Sequence, residues 1–136
     1  MRVAIVAASL SYVGGQSVQA ELLRKNWQDD AAVDARLIAI DPPFPKLLRW
    51  VEAIPGLRTI LRQPFYVWDL WKGLKNTDVA HIFSASYWSF LIAPVPAWLV
   101  ARLRGAKVLI HYHSGEARDH LQRFRSARPV LARVDI

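Results

Sequence analysis

The residues with the clearest chemical potential stand at two points of the chain. Gly14-Gly15 separates an apolar run from a helical pattern that opens at Gln16. Two missing β-carbons let a ligand approach the backbone, and a helix start offers N–H groups and the positive end of the helix dipole. An anion there gains about 0.3–1 kcal/mol. The signature is neither GxGxxG nor a Walker loop, because no Lys-Ser/Thr follows. A plain strand-to-helix turn would read the same way. The second point is the pair His111 and His113, two residues apart and so on one side of a strand. His111 falls inside the strand pattern, where a packed, hydrogen-bonded histidine is the default. His113 falls at its carboxyl end, where an imidazole can donate to a hydroxyl or phosphate or act as a base. Ser114, Gly115 and Glu116 can cap a following helix, with an acceptor-hydroxyl role for Glu116 ranked second. His81 reads as structural and His120 as solvated. Zinc is disfavoured, since there is no HExxH and no cysteine.

The elements that must hold these groups alternate between strand and helix. Residues 2–8 (RVAIVAA) form an unbroken apolar run, as in a parallel strand covered on both faces. The pattern predicts a helix over 16–28, with Val18 and Leu22 stacked and Ala20, Leu23 and Trp27 widening the apolar side. Strands are expected at 33–40, 79–84 and 107–112. An apolar helix is expected over 89–104, closed by Arg102, Arg104 and Gly105, and a polar helix over 115–125. The segment 42–76 is the least regular. It suggests a short helix ending before Pro55-Gly56, another over 57–63, and after Pro64 a core stripe of Val67, Leu70, Trp71 and Leu74. Strand–helix units of this kind imply right-handed crossovers and an α/β, Rossmann-like parallel sheet with helices on both faces. Ligands then bind beyond the carboxyl ends of the strands.

Composition narrows the partners. The 136 residues are 53% hydrophobic, enough for one core. The absence of cysteine removes disulfides and thiol chemistry and fits a reducing cytoplasm. Eighteen Lys+Arg against eleven Asp+Glu leave a charge of +7, which favours an anionic partner. The middle segment sets Lys46, Arg49, Arg58, Arg62, Lys72 and Lys75 beside Trp50, Phe65, Tyr66 and Trp68, a mixture suited to an anionic membrane surface. Scattered basic residues and missing motifs argue against nucleic acid. The 14 uncharged residues of 88–101 contain two prolines and fall short of the ~20 needed to span a bilayer.

Several of these stretches together resemble family 4 of the GT-B glycosyltransferases. They are the diglycine loop, D-V-x-H-I-x-S at 78–84, SYWSFL at 86–91 and Y-x-SGEA-x-DHL at 112–121. The resemblance implies the acceptor-side, N-terminal half of a two-domain GT-B fold, incomplete here, with the nucleotide-sugar domain and its E-x7-E motif absent. It implies a retaining, metal-independent transferase with no cofactor other than a nucleotide-sugar donor. The acceptor would be a glycan or a lipid-linked molecule, handled in the cytoplasm or peripherally on the inner membrane face. By position, Gly14, Gly15 and Gln16 would approach the donor diphosphate, His113 would lie by the reacting sugar, and Tyr87, Ser114 and Glu116 would contact substrate.

Two other readings stay open on the residues alone. One is a stand-alone flavodoxin-like module holding a phosphorylated ligand at Gly14-Gly15. The other is a peripheral membrane-binding protein working through its basic, Trp-rich middle.

Overall fold

The computed structural model describes residues 1–11, 14–84, 88–112, and 119, 122, 129, 130 and 132. Its centre is strand β1 (Arg2–Ala7), whose residues Val3 to Ala7 are all buried. A strand covered on both faces has no place for polar side chains, which is why this run does not alternate. β1 pairs in parallel with β2 (Asp34–Ala39) on one side, from Arg2 opposite Asp34 to Ala7 opposite Ala39. On its other side it pairs with β3 (Val79–Ser84), from Val3 opposite Val79 to Val6 opposite Ile82. β3 in turn pairs with β4 (Lys107–Tyr112), ending at Ser84 opposite Tyr112. Among the described residues these strands form one parallel sheet in the order β2-β1-β3-β4.

Helices cover both faces, as the strand–helix alternation predicts. Helix α1 (Gly15–Gln28) brings Ala20, Leu23 and Trp27 against Ile5, Ala7, Leu37 and Phe83. The expected Val18 and Leu22 pair is exposed instead. Ala20 is fully buried, and its small side chain lets the helix lie close to the sheet on that line.

The opposite face carries α2 (Leu57–Gly73) and α4 (Pro94–Leu103). Tyr66, Leu70, Leu74, Ala97, Val100 and Ala101 pack there on Ala4, Val6, Ile38, Ala80, Ile82 and Val108. α2 departs from expectation in two ways. It runs unbroken through Pro64, although an interior proline costs about 3 kcal/mol. Pro64 sits on the exposed side, and burial of Tyr66, Leu70 and Leu74 on the other side offsets that cost. The buried line is 66/70/74, so Val67 and Trp71, expected in the core, face outward. Gly73 lies where α2 crosses β2; a β-carbon there would stand 2.6 Å from Ile38 Cδ1.

The short helix expected near residue 50 is a 3-10 helix, Lys46–Ala53, which buries Val51. The long helix expected over 89–104 is two pieces, α3 (Trp88–Ile92) and α4. The break falls where Pro94 takes the first position of α4, a place that needs no N–H. α4 ends as predicted, with Gly105 at φ +77 and Ala106 N–H donating to the Ala101 carbonyl at 3.0 Å. The expected helix over 115–125 lies largely outside the described residues.

The Tyr66 hydroxyl donates to the Ala93 carbonyl at 2.9 Å, tying α2 to the α3–α4 junction, and burial pushes the phenol's pKa up so that it remains a donor. Tyr66→Phe should therefore cost about 1–2 kcal/mol. In urea unfolding this is read as a lower midpoint at unchanged slope; an unchanged midpoint would show that the bond contributes nothing.

Candidate functional site

In a parallel sheet every strand points its carboxyl end to one rim. The order β2-β1-β3-β4 makes the chain step one way from β1 to β2 and the other way to β3, and in sheets of this kind the ligand crevice lies at that switch point. α1 begins beside it. Gly14 is its extended N-cap residue, and the Ser17 hydroxyl accepts from Gly14 N–H at 3.0 Å while donating to the Gly14 carbonyl at 2.9 Å. The Gln16 amide reaches across and donates to the carbonyl of Ser84, the last residue of β3, at 3.2 Å. A β-carbon on Gly15 would meet no described atom within 4 Å, so packing among the described residues does not require glycine there. No acidic residue occupies the first turn of α1.

The diglycine and the end of β4 thus share a rim, because Tyr112 closes β4 directly opposite Ser84. Burial raises the Tyr112 phenol pKa, partly offset by a hydrogen bond with the Ser84 side chain. Gly14, Gly15 and Gln16 are brought to the crevice. Tyr87, His113, Ser114 and Glu116 lie outside the described residues.

Two rim residues carry more than their sequence positions suggested. Asp41, just beyond β2, accepts from the Ser9 backbone N–H at 2.7 Å and from its hydroxyl at 2.5 Å, locking the first loop to the second. Arg62, counted among surface cations in the sequence, turns inward from α2. Its guanidinium lies 4.9 Å from the Phe44 ring centroid and 3.7 Å from Glu52. It lines two adjoining cavities of about 300 and 490 Å³, the larger with Ser9, Ser11, Asp41 and Arg49. Arg62 stands four residues before Tyr66 on one helix face, but the burial of Tyr66, which the sequence set among surface aromatics, is itself a finding of the structure.

A second cluster lies on the α1 face of the sheet. His81 Nε2 is 3.4 Å from His111 Nδ1, and both rings stack on Phe83, with centroids at 5.1 and 4.8 Å. They border a groove of about 400 Å³ lined also by Gln19, Leu22 and Asn26. Burial, reinforced by His111, lowers the His81 pKa to about 4. Neither ring belongs to a metal cluster among the described residues.

No family model matches the chain, and no curated protein does. Among solved structures it is similar to FerB, a flavoenzyme NAD(P)H:(acceptor) oxidoreductase from Paracoccus denitrificans. The TM-score is 0.50 at 16% identity, over 98% of this chain and 72% of that one. At this identity the likeness shows the fold, an α/β fold with a parallel sheet. These findings correct the sequence reading: the resemblance to GT-B family 4 finds no match, and the structure it does match is a different enzyme. The glycosyltransferase activity and nucleotide-sugar donor fall with that resemblance. So does the expectation of no cofactor, since the matched protein is a flavoenzyme.

The positions that carried the resemblance explain why it misled. Asp78 sits at the opposite, amino rim, where its carboxylate accepts from Arg2 N–H at 2.7 Å and pairs with the Arg2 guanidinium at 3.4 Å. Those contacts, the backbone bond first, hold its pKa below the usual range. His81 is packed, and the Ser84 carbonyl serves Gln16. These are sheet-building roles open to many α/β proteins.

The lowered pKa of His81 has a sign that can be checked. The unfolded imidazole titrates near ~6.5 and the folded one near 4, so the unfolded chain binds more protons between those values. Stability is full above that window and falls as pH drops through it. His81→Phe should flatten the decline in thermal midpoint between neutrality and pH ~5, where carboxylates scarcely titrate; an equal decline in the variant would assign the loss to other groups.

Proposed function

We propose that this chain is a flavodoxin-like domain that binds a phosphorylated nucleotide cofactor, a flavin nucleotide in the first instance, and serves an oxidoreductase. One observation carries the reading. The crevice between β1 and β3 is headed by a helix start without side chains, and in doubly wound folds of this strand order the mononucleotide is held at that switch point. The likeness to a flavoenzyme supports the choice of cofactor.

The described residues fit the phosphate end of such a ligand. A β-carbon on Gly15 would meet no described atom within 4 Å and no carboxylate stands in the first turn of α1, while on the neighbouring loop Ser11 lines the adjoining cavity and the Ser9 hydroxyl is spent on Asp41. Asp41, the nearest acid on that loop, has both oxygens engaged by Ser9. A flavin held there would supply the redox chemistry. The chain's part would be to neutralise the phosphate through the dipole and N–H groups of α1, and to hold it through a loop fastened at Ser9–Asp41.

Titration of the chain with flavin mononucleotide and with riboflavin, read by flavin fluorescence, separates phosphate recognition from ring binding. The mononucleotide should bind at least about tenfold more tightly. Gly15→Asp places a carboxylate where a helix start tolerates it, so folding should hold while the preference for the phosphorylated flavin disappears. Failure to bind either flavin, or an unchanged preference in the variant, would refute the assignment.

A further inference from the structure

The outer side of α2 is the feature that neither the core nor the crevice explains. A globular helix normally presents one apolar stripe, to its core. α2 carries a wider band. Tyr66, Leu70 and Leu74 face the sheet, while Leu57, Ile60, Pro64, Val67, Trp68 and Trp71 are exposed. At about 100° per residue these six fall within an arc of about 100° that adjoins the buried line, with Val67 about 20° from Leu74. Ile60 is 69% and Trp68 58% exposed. The preceding 3-10 helix, which packs on α2, also leaves Leu47 89% and Trp50 61% exposed.

We propose that this face docks on an anionic lipid bilayer, with α2 lying along the interface. Charge selects that occupant. Lys72 Nζ sits 4.9 Å from the Trp68 ring and the Arg104 guanidinium 3.8 Å from the Trp71 ring, so cations flank both indoles. Lys46 precedes Trp50 in the 3-10 helix, whose one acid, Glu52, is paired with Arg62, Arg58 lies in the first turn of α2, and Asp69 is the sole acid in α2. Tryptophan and cations belong together at the headgroup level, where anionic lipids attract Lys and Arg. The core of a protein–protein interface is instead depleted of lysine. Among the described residues no helix is long and apolar enough to cross a membrane, so the contact is one of lying on the surface. The proposal does not depend on the flavin reading.

Co-sedimentation of the chain with vesicles of equal parts phosphatidylglycerol and phosphatidylcholine tests it, with pure phosphatidylcholine as the comparison. Binding should be at least about tenfold stronger to the anionic vesicles and should weaken with salt. Lipids brominated along their chains should quench tryptophan fluorescence. The double variant Ile60→Glu with Trp68→Glu should lose about tenfold or more in affinity while keeping its circular dichroism and thermal midpoint. If the charged pair unfolds, Ile60→Gln with Trp68→Gln takes its place. No binding to anionic vesicles at low salt, no preference for them, or full binding by the stripe variant would overturn the proposal. So would a lipid-free dimer that the variant dissociates, which would make a second copy of the chain the occupant.

Discussion

Everything in this fold follows from the burial of β1 on all sides. Its backbone is bonded to β2 and β3, and its side chains from Val3 to Ala7 are closed off above and below. A strand so placed can connect to the rest of the chain only at its ends. Parallel pairing then sends the loops after β1, β2, β3 and β4 to a single rim, and a switch in winding direction beside β1 opens the crevice there. The diglycine start of α1, the Ser9–Asp41 lock and the Ser84 carbonyl meet at that rim because the sheet leaves them nowhere else to go.

The same constraint decides which helix faces are used. α1 approaches on the line of its smallest core residue, Ala20, and Val18 and Leu22 are left outside. α2 carries one wide apolar band and buries the part that holds Tyr66, whose hydroxyl finds the Ala93 carbonyl. Gly73 permits the close approach to Ile38. The arc left over is large, aromatic and ringed by cations, and this gives the domain an outer surface with chemistry of its own.

The mistaken family resemblance has a physical lesson. Asp78 clips the first strand to the third at the amino rim, His81 fills the α1 face beside His111 and Phe83, and Ser84 ends a strand at the crevice. Each residue answers a demand of a parallel sheet and not of one reaction. Motifs built from such positions report architecture, and activity has to be argued from what converges on the rim.

The strands were legible from sequence alone, two of them to the residue: the predicted 79–84 and 107–112 are the observed β3 and β4. Two-sided burial imposes an unbroken apolar run, and that signature is local. The helix ending at Gly105 and the helix start at the diglycine were equally local, set by backbone chemistry at single residues. Strand order was not legible, because pairing β1 with β3 joins residues more than seventy positions apart. Nor was the inward turn of Arg62, the meeting of His81 with His111, or which part of the apolar band of α2 is buried. A helix carries both of its faces in its sequence, but only the surface it lands on determines which one is hidden.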